Sequence, residues 1–192
     1  MYEHIKFKNA INMRKANYDK FPSTKLTGML VQGWDSIISM LKEKMDARKV
    51  LAVDLYTGVY EEEVLDAFSK EFSGRVMNVR DLMKPEKEIQ ALTERFMTED
   101  VLFGYVTNLK LEDYLDVDKV AAARKQISEA KETIVIIGTG AAVVAPQDAM
   151  VVYADMARWE IQQRFRRHEV KALGIDNRND AVSLQYKRGY FN

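Results

Sequence analysis

Short apolar segments alternate with amphipathic segments of helical length along most of this chain. Residues 49–56, KVLAVDLY, form a near-continuous apolar run, and after a turn the segment YEEEVLDAFSKEF places apolar residues at helical spacing. A strand that is buried on both faces reads as such a run, and parallel strands need a crossover between them that is usually helical. The alternation therefore predicts an α/β fold, a three-layer α/β/α sandwich around a mostly parallel sheet.

The apolar runs predict five strands: KVLAVDLY (49–56), RVMNV (75–79), VLFGYVT (101–107), TIVIIGTG (133–140) and AMVVYADM (149–156). Turn and cap residues mark the helices between them. Gly74 suits the C′ position after one helix, Pro85 the first turn of the next, and Asp116 or Asp118 the N-cap of a third. The polar tail, residues 174–192, is predicted to be a loop.

The chain has 192 residues, enough for one domain with a sizeable core. We expect an N-terminal lead-in and helix packed on the domain (1–48), a kinase-like α/β core (49–157), and a lid-like helix with a C-terminal tail (158–192). The chain stops on Tyr190, Phe191 and Asn192 without an obvious terminal element, which favours a fragment of a longer protein.

Composition excludes several classes of function. Twenty-nine basic residues balance 29 acidic ones, so no overall field favours nucleic acid. The absence of cysteine excludes disulfides, thiolate metal sites and cysteine catalysis. The two histidines, His4 and His168, lie far apart in sequence, so we expect no metal site. No segment resembles a signal peptide or a membrane span, and we expect a cytoplasmic protein that does not bind a membrane.

Ligands of open parallel sheets bind beyond the carboxyl ends of the strands. Three turns should meet there: Thr57-Gly58, Arg80-Asp81 and Gly138-Thr139-Gly140. The first can be compared with the phosphate loop G-x-x-x-x-G-K-[ST], but three glutamates, residues 61–63, stand where the lysine should come. Carboxylates in a first helical turn stabilise the positive end of the helix dipole, so these glutamates favour an ordinary helix start over a phosphate site. The third turn lacks the full G-x-G-x-x-G motif and indicates a tight turn beside a neighbouring element.

A cationic helix follows the fifth predicted strand. Arg164 and Arg167 lie three residues apart and share a face, on which they could clamp a phosphate. Alternatively, Glu160 pairs with Arg164 and the other cations are solvated. The carboxylates of Asp54, Asp81 and Asp155 lie near strand ends and could hold magnesium, but acidic residues are common there.

The order of these segments resembles the uridine kinase and phosphoribulokinase branch of P-loop kinases. VLAVDLYTGVYEEEV looks like their first strand, phosphate loop and helix, VMNVRDLMKP like their second strand with its acidic residue, and VVYADMARWEIQQRFRRHE like the strand that enters their arginine-rich lid. The resemblance implies a phosphate-ligand site that is formed by Thr57, Gly58, Asp81, Arg158, Arg164 and Arg167. The missing lysine argues against kinase activity.

A closer resemblance covers nearly the whole chain. NYDKFPSTK, QGWDSI, DLYTGVYEEEVLDAFSKEF, TERFMTEDVLFGYVTNLKLEDY and SLQYKRGYFN look like the N-terminal region of a long-form bacterial class I mannose-6-phosphate isomerase. That family's zinc and chemistry belong to a C-terminal cupin domain. The resemblance therefore implies an accessory domain, regulatory or structural, with no catalytic residue and no cofactor of its own. Its partners would be the isomerase domain, a phosphorylated sugar or nucleotide, and a second copy of itself.

Two rival functions stay open. An active or nucleotide-sensing kinase with a non-standard loop predicts magnesium-dependent nucleotide turnover. A docking or oligomerisation scaffold predicts no small ligand and an exposed apolar patch, to which Tyr186, Tyr190 and Phe191 could belong.

Overall fold

The computed structural model describes residue 19 and residues 22–25, 27–45, 47–101 and 103–189. The chain divides into two compact units, Met1–Val31 and Gln32–Asn192. The described residues of the first unit form neither helix nor strand. All the elements below belong to the second unit. The packing of the lead-in and the boundaries at residues 48 and 157 stay predictions, and Tyr190 and Phe191 lie outside the described residues.

Four parallel strands form the sheet, in the order β2-β3-β1-β4. Their bounds are β1 Val50–Leu55, β2 Arg75–Asn78, β3 Ile134–Gly138 and β4 Met150–Ala154. The central strands β1 and β3 are almost wholly buried, as their continuous apolar runs predict. The predicted α/β class and parallel sheet are therefore confirmed.

Helices cover both faces of the sheet. Their bounds are α1 Trp34–Met45, α2 Glu61–Glu71, α3 Glu86–Met97, α4 Leu111–Tyr114, α5 Val117–Glu129, α6 Ala141–Val144, α7 Arg158–Arg166 and α8 Val182–Gly189, with a 3₁₀ helix at Val79–Leu82. One buried cluster joins α1 and α2 to the sheet, and a second joins α3, α5 and α6 to it. This second unit is thus the predicted three-layer sandwich. Asp116 is the N-cap of α5, accepting from the backbone N–H groups of Asp118 and Lys119.

The predicted third strand, VLFGYVT, is wrong, because none of its described residues joins the sheet. Its local pattern of β-branched and aromatic residues is strand-like, but the large side chains of Val101, Phe103 and Tyr105 are exposed. Hydrogen bonds close to the segment hold the loop instead. The Thr98 hydroxyl donates to the carbonyl of Phe103 (2.5 Å), and the Asp100 carboxylate accepts from the Phe103 N–H (2.7 Å).

Two further local predictions are wrong. The C-terminal tail is not all loop, since it forms α8, whose Gln185 and Lys187 are buried. Lys187 donates to the carbonyls of Met97, Thr98 and Asp100 at and just after the end of α3. Because these polar contacts hold α8 in place, the hydrophobic pattern of the sequence does not reveal the helix. Gly74 does not have the positive φ of a C′ glycine. It is a glycine because a Cβ there would collide with the carbonyl oxygen of Thr133, the residue before β3.

Candidate functional site

The predicted turns meet at the carboxyl edge of the sheet. Thr57 and Gly58 after β1, Arg80 after β2 and Thr139 after β3 line one cavity. The Thr139 hydroxyl donates to the carbonyl of Leu55 (2.8 Å) and so ties the ends of β1 and β3 together. The cavity measures about 40 Å³, whereas ligand pockets typically measure about 300–1,000 Å³. This cavity therefore has room for a few water molecules but none for a nucleotide, and the neighbouring pocket beside α2 measures about 140 Å³, also below that range.

The buried carboxylate of Asp54 fills the position that an anion would take beside β3. The pleat of β1 places Asp54 on the same face as Ala52, the face that α6 covers. Its two oxygens accept from the N–H groups of Gly140 (3.0 Å) and Ala142 (2.8 Å) at the start of α6. Backbone N–H groups at a helix start are the groups with which phosphate loops hold phosphate. Here the chain supplies its own anion.

Gly58 and Gly138 are glycines because other side chains lie against them. Gly58 has φ +90°, and a Cβ there would lie 2.9 Å from Cγ1 of Ile161 in α7. Gly138 has φ +134°, and a Cβ there would lie 2.9 Å from Cβ of Val79. The prediction of a tight turn beside a neighbouring element is confirmed for Gly138. In both turns the freedom of glycine serves packing within the fold.

The three glutamates of the first turn of α2 are each paired with a different part of the fold. Glu61 forms an ion pair with Arg80 (3.2 Å), and Glu62 with Lys171 (3.2 Å). Glu63 accepts from the indole N–H of Trp34 in α1 (2.9 Å). Carboxylates in a first helical turn also favour the helix dipole, as predicted from the sequence. The positive end of α2 is thus occupied by carboxylates, and these carboxylates also pair with Arg80 and Lys171.

Lys171 is a residue that sequence reasoning missed. It lines the carboxyl-edge cavity with Arg80, although it follows α7 by several residues and belongs to no motif. Besides Glu62 it faces Asp176, at 3.9 Å. No signal in the sequence identifies it, because only the return of the chain after α7 brings it to the edge. Asp81, in contrast, lies in the 3₁₀ helix with an exposed side chain, and its neighbour Arg80 lines the cavity instead.

Arg164 clamps the Thr57-Gly58 turn to α7. Its Nη1 donates to the carbonyl of Gly58 (2.7 Å), its Nε donates to Glu160 (3.2 Å), and its guanidinium lies 3.6 Å from the ring centroid of Tyr60. The side chain is only 13% exposed. The predicted Glu160–Arg164 pair is confirmed. A phosphate could reach Arg164 only by displacing these contacts, so its present role is to hold the turn.

The other two predicted arginines do not converge with it on one cavity. Arg167 bonds to Glu160 (3.0 Å) and Glu169 (2.8 Å), which confirms that Arg164 and Arg167 share a face. Arg158 is exposed at the start of α7 and lines a separate pocket of about 20 Å³ with Thr57. The described residues that line the carboxyl-edge cavity include Thr57 and Gly58 but none of these arginines.

The sequence of this fold matches one family model. The model is a domain of unknown function, DUF8485, and it matches residues 33–192, most of the chain. The chain belongs to the DUF8485 family. The match begins one residue after the start of the second compact unit, so the family corresponds to the α/β unit described above. No curated protein matches the chain.

The charge network of this DUF8485 domain also shifts acid–base equilibria. Hydrogen bonds from Arg167 and then from Tyr60 lower the pKa of Glu169 to about 2. Hydrogen bonds from Arg167 and then from Arg164 lower the pKa of Glu160. Both carboxylates are therefore held ionised as partners of the arginines. This is the electrostatics of a structural network, because each charge already has an opposite charge beside it.

Metal and membrane features can be stated only for the part of the chain that the structure describes. Within it, no group of three histidine, aspartate or glutamate residues is arranged to hold a metal ion. Asp54, one of the carboxylates that could hold magnesium, caps α6 instead. No helix of that part is both long and apolar enough to cross a bilayer.

Proposed function

We propose that this chain is a non-catalytic accessory domain with a kinase-like fold, structural or regulatory in role. Its motifs resemble the N-terminal region of a long-form class I mannose-6-phosphate isomerase. In such a parent, a C-terminal zinc-binding domain would interconvert mannose 6-phosphate and fructose 6-phosphate. The domain itself would use no cofactor, would work in the cytoplasm and would have the isomerase domain as its partner.

One observation carries the non-catalytic role: the chain's own groups already satisfy the charges at the carboxyl edge. Asp54 takes the N–H groups of α6, Glu61 takes Arg80, and Glu62 takes Lys171. Arg164 is bound to the carbonyl of Gly58 and to Glu160. A nucleotide would have to displace the partly buried Glu61–Arg80 pair and the more exposed Glu62–Lys171 pair from a cavity of about 40 Å³. Each displaced charge would lose a partner, which is costly in such surroundings.

The first test is a calorimetric titration of the purified chain. ATP with magnesium, mannose 6-phosphate and fructose 6-phosphate would be added in turn. We expect no heat of binding with ATP and magnesium at millimolar concentration. Binding of ATP with magnesium would favour the rival kinase or nucleotide sensor and would end the proposal in this form. Binding of a sugar phosphate alone would assign the domain a regulatory role and would extend the proposal.

A regulatory role would require a ligand whose phosphate group alone enters the carboxyl edge, such as a phosphorylated sugar. It could exchange with Glu61 and Glu62 at Arg80 and Lys171, which lie beside the hydroxyls of Thr57 and Thr139 in one cavity. One oxygen of Glu61, Oε1, is buried and has no hydrogen-bond partner among the described residues, so its present pairing is incomplete. Arg80 and Lys171 are better placed than Arg158 for this exchange, because both line the cavity and Arg158 does not.

A docking scaffold is the second candidate, and the edge strand β4 favours it. Val151 and Tyr153 point away from the core and are 54% and 59% exposed. The strand, MVVYA, carries no charge or proline of the kind that protects natural edges. A second copy could pair there along a two-fold axis. Tyr186 does not add to this surface, since its hydroxyl donates to the carbonyl of Gln162 and its ring packs on Phe165.

Sedimentation at several concentrations tests the scaffold. If β4 joins two copies, Tyr153→Lys should turn a dimer into a monomer, because it places a charge on the shared strand face. Val106→Lys is the matched control, because Val106 is 97% exposed and lies in the loop between α3 and α4. A monomeric wild type, or equal effects of the two changes, would remove β4 as the contact.

A further inference from the structure

A cavity of about 980 Å³ opens at the opposite, amino edge of the sheet. It lies at the first residues of β1 and β3, Val50 and Ile134, and on the approach to β4 at Asp148. The last turn of α1 and the residues after it form one wall. Residues of α5 form the other wall. The volume is at the upper end of the range of about 300–1,000 Å³ that small-molecule pockets occupy.

The floor of this amino-edge cavity is apolar. Met45, Ile127, Ile134 and Val144 line it, and they are between 0% and 7% exposed. These side chains come from α1, α5, β3 and α6, so four packed elements hold the floor in place. A rigid apolar floor of this kind fits the body of an organic molecule and gives little to a bare inorganic ion.

The rim is cationic. Lys44, Arg48, Lys49 and Arg124 line the cavity, against the two carboxylates of Glu132 and Asp148. Within the described part of the chain, Lys44, Arg48 and Lys49 form no ion pair. The whole chain carries no net charge, so this local excess of positive charge is set by the fold.

Two of the four cations on the rim have a structural role at a helix end, and the other two do not. Lys44 lies in the last turn of α1, where a cation complements the helix dipole. Arg124 donates to the carbonyls of Val143 (2.7 Å) and Val144 (3.4 Å) at the end of α6. Arg48 and Lys49 lie beyond α1 in the link to β1 and serve no such end. Their exposed charges face the cavity without a structural task among the described residues.

We propose that the amino-edge cavity binds a small organic anion. The apolar or aromatic body of the ligand lies on the floor of Ile127, Ile134 and Val144. Its phosphate or carboxylate group meets Arg48 and Lys49, with a contribution from Lys44. This site is separate from the carboxyl edge, so the proposal holds whether or not a sugar phosphate binds there.

Three probes separate the two parts of the site. The first is 1-naphthyl phosphate, which has both an aromatic body and an anionic group; the second is 1-naphthol, which lacks the charge; the third is inorganic phosphate, which lacks the body. Each is titrated into the ¹⁵N-labelled full chain and followed by amide chemical shifts. We expect saturable shifts with naphthyl phosphate at Ala47, Lys49 and Ser128, and affinities at least about tenfold weaker for the other two probes.

Charge reversal tests the rim. Arg48→Glu should weaken naphthyl phosphate at least about tenfold, since it replaces an attraction with a repulsion at close range. Lys87→Glu makes the same change of charge on the exposed face of α3 and should leave the affinity within about twofold. Unfolding by urea checks that both variants are folded.

Several outcomes would overturn the proposal. They are the absence of saturable shifts, shifts confined to the carboxyl edge at Thr57 and Gly140, and equal affinities of Arg48→Glu and Lys87→Glu for naphthyl phosphate. Inorganic phosphate that binds as well as naphthyl phosphate would also overturn it, because the floor would then contribute nothing. Lys49→Glu repeats the test if Arg48→Glu fails to fold.

Discussion

The cations at the two edges of the sheet differ in whether the chain itself pairs them. At the carboxyl edge, Arg80, Arg164 and Lys171 are each paired with an acceptor of the chain, and the cavity measures about 40 Å³. At the amino edge, Arg48 and Lys49 form no ion pair with described residues, and the cavity measures about 980 Å³. The general position of ligand sites in parallel sheets is the carboxyl edge. In this fold the larger cavity lies at the other end.

The comparison shows that a turn at the usual ligand position of a parallel sheet can make structural contacts instead. The Thr57-Gly58 turn lies where a ligand would be expected, but Arg164 and Ile161 of α7 hold it from outside. Asp54 holds the neighbouring turn from inside. The carboxyl edge then works as a joint between β1, α2, α6 and α7.

The largest effect should come from Asp54. Asp54→Ala would leave the buried N–H of Gly140 and the partly buried N–H of Ala142 without their acceptor, and should lower the free energy of unfolding by about 3 kcal/mol. Urea unfolding followed by circular dichroism measures the loss. Asp54→Asn, which keeps one acceptor oxygen, should lose less. A loss below about 1 kcal/mol for Asp54→Ala would contradict the view of the carboxyl edge as a joint.

Arg164 should have the next effect. Arg164→Lys would keep the charge but lose the stacking on Tyr60 and the planar set of hydrogen bonds, and should cost about 1–2 kcal/mol of unfolding free energy. Arg166→Lys, on the exposed side of the same helix, is the control and should cost less than about 0.5 kcal/mol. Equal losses would mean that Arg164 is no clamp.

The glutamates of α2 should decide whether the carboxyl edge excludes anions. The double change Glu61→Gln/Glu62→Gln would release Arg80 and Lys171, and pyrophosphate should then bind at least about tenfold more tightly than to the wild type. Calorimetry measures both affinities. Glu63→Gln is the matched control, since Glu63 bonds to Trp34 and pairs with neither cation. Unchanged affinity in the double variant would assign the exclusion to the small cavity alone.

The smallest effect should be a pH dependence. The pKa of Glu169 is about 2 in the folded chain, below its ordinary value of 4.5, because of Arg167 and Tyr60. A lowered folded pKa stabilises the fold above the ordinary pKa, and this stabilisation is lost as the pH falls from about 5 towards 2. The pKa values of Glu160 and Asp176 are also lowered and act in the same direction.

Urea midpoints at pH 6 and pH 3 measure this dependence. Glu169→Gln should show a smaller loss of stability between the two pH values than the wild type. Tyr60→Phe, which keeps the ring beneath Arg164 but removes one hydrogen bond to Glu169, should fall between them. A dependence in Glu169→Gln as large as that of the wild type would assign the acid sensitivity to other carboxylates.

Local patterns predicted the elements whose side chains follow a simple periodicity. The buried runs of β1 and β3 and the apolar face of α2 are confirmed, because burial of apolar area dominates their placement. The patterns failed where polar contacts decide the structure. VLFGYVT has strand composition but no neighbouring strand, and α8 is anchored by Lys187 on carbonyls that no periodicity reveals.

The residues of the candidate site also divide into those that local patterns predicted and those that they did not. The sequence placed Thr57, Gly58 and Arg80 at one edge, because the turns after parallel strands must meet there. It also indicated the Glu160–Arg164 pair from a spacing of four residues. It could not find Lys171 or the role of Asp54, since both depend on partners that are distant in the chain.

By itself, the sequence determined the class of this protein: an α/β sheet of buried parallel strands with a loop that lacks the lysine of a phosphate loop. Periodicity and residue type are local, and they were sufficient for that. Only the tertiary structure decided which charges meet. It closed the carboxyl edge with the chain's own carboxylates and gathered Lys44, Arg48, Lys49 and Arg124 around an open apolar floor. Pairing and cavity volume depend on distances between remote segments, which no local pattern contains.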